Sequence, residues 1–478
     1  MDDRPPLQGF PIRAALLLAA TGALACLWLA WCEFPVYTWN EVRLAPAFAL
    51  RHGINPYPPL GGGPLSTWIY GPVGIAVNLP ATFAGTAAGA LHAACVINVL
   101  TLLGPLAVIF FTSAELRGRG PAVPAFALAV AVLLVPRPNL VLQVADHSAI
   151  ALGLLSCWWL ARRGQPAAAT LAGAAALCAL AVWAKQIAVF LVPAQLAFLV
   201  LGRNLRAAVH YGLWVVLFGA AGLALAAWAF GLANVWLNLV TIPGRLPWAD
   251  FTDRLALRPW SMSAQLVVPA LGLAILWYRG PWPDRGSPSG RFFQLAVLAF
   301  ITMLPVGMAG YLKIGGDTNL FHSWDYLMPA ALLAWLGTEG CSPRARLRLA
   351  AATAFAFGLH GPDFLALPVK PLTAHLTVAE RLTKAYPHSI WFPRNPVITF
   401  YADGALWHSE DGIQTRFLAG YGLRQPDFRR HLPSDLQAVA FPTVVEKPFV
   451  MALLAELSES TQVPYWTIFT RPENGAPK

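Results

Sequence analysis

Charged side chains are scarce in this chain, and those that stand at the ends of its apolar runs could do chemistry. Glu41 follows the first apolar run, in WNEVRLAPAFALRHGINPYPPLGGGPLSTWIYGP from Trp39 to Pro72. A carboxylate placed beside a hydroxyl can take its proton as a general base. Asp146 and His147 open the apolar run DHSAIALGLL. An ionisable pair at the margin of such a run marks a functional site or, for the aspartate, a helix N-terminus that favours an anion anyway; His147 alone reads as structural. Lys185 has no other charge for about 17 residues on either side. It could grip a phosphate or simply snorkel to the interface. Two polar, aromatic excursions follow. In Leu237 to Trp260, Arg245, Arg254 and Arg258 stand with Trp248 and Trp260, a set that suits an anionic headgroup or pyrophosphate. In Lys313 to Tyr326, Asp317, Asn319, His322 and Asp325 could meet an acceptor or a divalent cation, although the spacing fits no metal motif.

The elements that position these residues are read from hydropathy. Hydrophobic residues make up 57% of the 478 and charged residues 12%, which excludes an ordinary soluble domain and specifies a polytopic membrane protein. Apolar runs long enough to cross about 30 Å of hydrocarbon predict eleven helices: 13–33, 88–113, 121–136, 143–161, 166–184, 186–202, 207–234, 262–278, 292–312, 326–340 and 346–366. The first continues without a small-residue cleavage site and reads as an anchor rather than a signal. Arg117, Arg162, Arg163, Arg203, Arg206 and Arg291 fall on one side of this scheme, while Glu33, Glu41, Asp146, Asp250 and Asp363 fall on the other. The positive-inside rule then places the N-terminus in the cytoplasm. Membrane orientation accounts for the formal charge of +10, and no basic face with interleaved aromatics points to nucleic acid. Of the six cysteines five lie in spans, so no disulfide is indicated.

Residues 34–87 form the long first external loop, too polar and too rich in Gly and Pro to face lipid. It carries a short amphipathic run from Val42 to His52, then Asn55-Pro56-Tyr57 and Tyr70-Gly71-Pro72, and reads as a working surface. The run after Pro72, broken by Pro80 and Gly85, suits an interfacial or re-entrant helix. From Pro371 the composition changes, ten Lys+Arg against ten Asp+Glu over 108 residues. This predicts a soluble α/β domain, 371–478, beyond the membrane domain 1–370. Helices are expected over Val378–Tyr386 and Phe449–Ser458, and strands over Ser389–Phe392, Gln437–Phe441 and Pro464–Thr470. The odd span count puts this domain outside.

Set in order on one external side, Glu41, Gly53-Ile54-Asn55-Pro56-Tyr57, Tyr70-Gly71-Pro72, Asp146 and Lys185 resemble the GT-C superfamily of integral-membrane glycosyltransferases, over about residues 1–340. The likeness is to the users of polyprenyl-phosphate sugars, among them bacterial mannosyl-, arabinosyl- and aminoarabinose transferases. In one respect the chain departs from the pattern: many relatives have Asp-Glu or Asp in the first loop where this chain has Asn40-Glu41. That leaves the catalytic role on Glu41.

The resemblance implies an all-α membrane bundle with a C-terminal soluble α/β domain, in a bacterial inner membrane. It implies transfer of a sugar from a polyprenyl-phosphate donor to a hydroxyl of a periplasmic glycan, lipid or protein. Glu41 and Asp146 are then the catalytic carboxylates. Lys185, Tyr57, Tyr70, His147, Arg254, Arg258, Asp317 and His322 are the expected substrate contacts, with a divalent cation as a candidate cofactor. The rivals are a transporter or flippase, which should show inverted repeats and broken helices, and an inactive assembly subunit.

Overall fold

The computed structural model describes residues 10–66, 68–118, 122–135, 137–250, 252, 286–316, 326–327, 329–331, 333–334, 361–443 and 448–472. The bundle is built from α1 (Phe10–Glu33), α2 (Thr38–Arg51), α3 (Pro72–Asn78), α4 (Ala87–Thr112), α5 (Ala122–Leu134), α6 (Asp146–Ala161), α7 (Ala168–Ala184), α8 (Leu191–Leu201), α9 (Leu205–Phe230) and α10 (Pro288–Tyr311). Their starts are written locally. Thr86, Asn204 and Ser287 accept the backbone N–H of Gly89, Ala207 and Gly290 at 3.0, 3.0 and 2.9 Å, satisfying donors that the first helical turn leaves open. Pro288 adds the favoured first-turn proline.

Among the described residues four helices are long and apolar enough to cross a membrane: Ala14–Val36, Ala87–Thr112, Leu205–Phe230 and Pro288–Tyr311. The expected spans at 121–136, 166–184 and 186–202 are apolar but shorter helices, and 143–161 is a helix of 16 residues. Those at 262–278, 326–340 and 346–366 lie wholly or largely outside the described residues. The count of eleven is therefore not established, although α6 packs along α7 and α8 along α9, as the short links between them require; α7 also packs along α9 and α8 along α10. The first loop folds as α2, as α3 and as a 3₁₀ turn, Leu79–Phe83.

The C-terminal part opens with α11 (Ala374–Ala385), followed by α12 (Pro396–Asp403) and α13 (Glu410–Leu418). Its sheet contains β1 (Ile390–Trp391), β2 (Ala438–Pro442), β3 (Glu459–Val463) and β4 (Trp466–Thr470), in the order β1-β2-β4-β3. β1 runs parallel to β2 and the other neighbours are antiparallel. The three expected strands are present. The expected helix over Phe449–Ser458 is instead a 3₁₀ turn, Phe449–Leu453, followed by β3. β3 is polar and exposed at the sheet edge, so it offered no hydrophobic alternation. It is specified by its turn, where Pro464 and Tyr465 at φ 72° return the chain into β4. One apolar cluster runs unbroken from Ala19 and Leu91 in the bundle through Phe48 and Tyr57 in the loop to Ile390, Ala440 and Trp466. The C-terminal part thus packs on the first loop and shares its core.

Candidate functional site

Two residues 39 positions apart meet at one end of the bundle. Asp146 stands in the first turn of α6, and Lys185 caps the last turn of α7. Nζ of Lys185 donates to Oδ1 of Asp146, with both side chains about 5% exposed. A pair so far out of water persists because each charge answers the other, and removing one partner strands its mate. The same ammonium lies 5.2 Å from the centre of the Tyr70 ring. The guanidinium of Arg43 lies 5.2 Å from the Tyr70 ring and 5.2 Å from Trp39. Tyr70 is thus flanked by two cations, one buried and one at the rim, on a ring face that attracts both. Two such cations can hold an oxyanion in different ways: Arg43 by a planar fork, Lys185 as a point charge.

The loop that brings Tyr70 here is locked by its neighbours. A Cβ on Gly71 would fall 1.8 Å from the Trp183 carbonyl oxygen, so only glycine lets the loop lie against the end of α7. Gln186 donates to Ile69 O at 2.7 Å and Leu239 O at 3.0 Å, tying the first loop and the Leu237 to Trp260 excursion to the residue after Lys185. Tyr57 is fully buried, and its hydroxyl donates to Tyr70 O at 2.8 Å. Its expected contact with substrate is corrected to that of a strut beneath Tyr70. His147 is buried beside Asn98, which fits the structural alternative rather than substrate contact.

Asn40 and Glu41 face different partners. Asn40 donates to Phe34 O and Val141 O at 2.7 and 2.8 Å and accepts from Gln143 N at 2.6 Å. It splices the loop to the segment that leads into Asp146. Glu41 is fully buried under the C-terminal part. Asn395 donates to its Oε1 at 2.7 Å and the Ile398 N–H to its Oε2 at 3.2 Å. Asn395 precedes α12 but makes no capping bond of its own, so Glu41 caps that helix from 354 residues away, where the helix dipole favours an anion. Burial still dominates and pushes the Glu41 carboxyl up to about 7, against the opposing pull of Asn395 and the Ile398 amide. The expected Glu41–Asp146 pair is not formed: one carboxylate answers Asn395 and Ile398, the other Lys185.

The junction has further fastenings that sequence reasoning missed. Arg416 donates to Pro58 O at 2.8 Å and to Asn238 Oδ1 at 2.9 Å. His408 accepts the Leu65 N–H on Nδ1 at 2.8 Å; burial, then His431, lowers its proton affinity to about 3. Arg43 was missed as well, although it lies four residues after Trp39 and hence on the same helical face. Below Asp146 a narrow seam of about 20 Å³ follows Ala149, Ile150, Gly153 and Leu154 down α6, facing Ile187, Leu191 and Leu327. Arg254, Arg258, Asp317 and His322 lie outside the described residues. Among the described residues no group of three or more His, Cys, Asp or Glu could hold a metal ion.

The GT-C resemblance implied an apolar bundle with a C-terminal α/β part; the structure has both, and buries the long first loop between them. No family model and no curated protein matches the chain. Among solved structures it is similar to ArnT from Cupriavidus metallidurans bound to undecaprenyl phosphate, at 11% identity and a TM-score of 0.59 over 99% of each chain. It is also similar to the apo state of the same protein, at 10% identity and a TM-score of 0.56 over 97% of each chain. The chain has the ArnT fold along its whole length.

Proposed function

We propose that the protein is a glycosyltransferase that takes a sugar from a polyprenyl-phosphate donor and passes it to an acceptor hydroxyl of a glycan, lipid or protein at the outer face of a bacterial inner membrane. The observation that carries this reading is the cation pair around Tyr70, set at the head of an apolar seam in a whole-chain ArnT fold. Undecaprenyl phosphate is what that ArnT structure binds; a lipid phosphate here would rest on Arg43 and Lys185. Asp146 holds Lys185 in place. Arg254, Arg258, Asp317 and His322 belong to the acceptor and donor surfaces in the same proposal.

Glu41 is assigned the base, since a carboxyl titrating near neutrality suits proton transfer. A second reading, that Glu41 is a latch for the C-terminal part, is favoured by the two hydrogen bonds its oxygens already accept. Purified protein given a radiolabelled polyprenyl-phosphate sugar separates these possibilities. Transfer should occur and Lys185→Met should weaken donor binding about tenfold or more, because about 1.4 kcal/mol of phosphate contact is a factor of ten. Glu41→Gln should abolish transfer while donor binding persists, whereas full activity in that variant leaves only the latch. Repeating the assay with EDTA reads out a divalent-cation requirement. No turnover with any lipid-linked sugar would overturn the proposal.

A further inference from the structure

At the end of the bundle opposite the Asp146–Lys185 pair there is a second, larger opening. It has a volume of about 790 Å³. It lies between the α6–α7 link, the α8–α9 turn and the first turns of α10, about 24 Å from Asp146 at 1.5 Å per residue along the 16 residues of α6. Three arginines, Arg163, Arg203 and Arg291, line it together with Asn204 and Gln294, and among the described residues no carboxylate does. Its walls are apolar, with Phe198 and Leu298 among them. Charge and apolar surface are therefore combined at this end of the bundle.

The three arginines are not equivalent. Arg291 donates to the carbonyls of Ala161 and Gly286, at 2.8 Å each, and of Arg162 at 3.2 Å, so it closes the ends of α6 and α10. Arg163 and Arg203 are exposed and have no ion pair among the described residues. Arg203 also sits at φ 56° in the turn between α8 and α9. That conformation is uncommon outside glycine and asparagine, and Arg203 lines the opening from it. Glu115 is taken up by the hydroxyls of Ser113 and Ser289.

We infer that this opening is a binding site for an anionic phospholipid of the adjacent leaflet, with the headgroup phosphate between Arg163 and Arg203 and an acyl chain along Phe198 and Leu298. Basic pockets between membrane helices take phosphate headgroups on electrostatic grounds, each nearby cation contributing about fivefold to tenfold in affinity. The site is separate from the one around Tyr70 and stands whether or not sugar transfer is the protein's activity.

The test uses the full chain, delipidated in detergent, with phosphatidylglycerol or phosphatidylcholine added back and bound lipid counted by native mass spectrometry. Wild type should retain phosphatidylglycerol in preference to phosphatidylcholine. Arg163→Gln with Arg203→Gln should weaken that retention at least tenfold, and Arg117→Gln, outside the lining, should leave it unchanged. Because both altered side chains are exposed, the double variant should keep the wild-type melting temperature without lipid. Equal retention of the two lipids would overturn the inference, as would a double variant that binds like wild type. Displacement of phosphatidylglycerol by equimolar polyprenyl phosphate would also overturn it, by assigning the opening to the donor.

Discussion

Glu41 lies where proton binding and the packing of the C-terminal part are linked, and the linkage has a definite sign. Its carboxyl is raised by burial from 4.5 to about 7 in the folded chain. Between those values the closed state holds a proton that the opened state releases, so closure weakens as pH rises through the window. At 1.36 kcal/mol per pH unit, a shift of about 2.5 units makes the closed state about 3 kcal/mol less favourable above pH 7 than below pH 4.5. The reporter is the Ile398 amide, which donates to this carboxylate. Hydrogen exchange of a peptide spanning α12, corrected for intrinsic rates, should show protection falling on the order of a hundredfold from pH 5 to pH 8. In Glu41→Gln nothing titrates at this position, and the fall should vanish. An equal loss of protection in the variant would show that burial of Glu41 is not what sets the closure energy, and the reasoning would be wrong.

Three further outcomes are expected. Gly71→Ala should dislodge Tyr70 and impair donor binding, since the new methyl meets a carbonyl oxygen that cannot move aside; the cost should be at least the roughly 1–3 kcal/mol of an overpacked core, read as a lowered melting temperature. His408 has the opposite sign to Glu41: held down to about 3 from 6.5 by burial and by His431, it leaves the folded state short of a proton as pH falls through 6.5. Protection of the Leu65 amide should therefore drop at pH 4 by the equivalent of about 3 kcal/mol, and His408→Gln should remove that acid sensitivity. Asp146→Asn should expose the loss of a buried counter-charge by destabilising the bundle about 3–5 kcal/mol, and Asp146→Asn with Lys185→Met should recover part of it, as a double-mutant cycle of melting temperatures will show.

The sequence alone determined the membrane class, the apolar helices, the long first loop and the isolation of Asp146 and Lys185, because each is a property of hydropathy along the chain. It also marked Tyr70-Gly71-Pro72 as special without giving the cause, which is the carbonyl of Trp183, 112 residues away, pressed against Gly71. The divergence of Glu41 from Arg43 was legible too. At 100° per residue the two stand about 200° apart on α2, so their side chains leave the helix on different sides. Which of them faces the Lys185 site was decided by packing: Trp39 and Tyr70 draw Arg43 to one side, while Asn395 and the first turn of α12 take Glu41 on the other. A helical wheel fixes angles between neighbours on one element. Only the tertiary structure could say that a cap missing from α12 is supplied from the first loop, because no local pattern encodes a hydrogen bond across 354 residues.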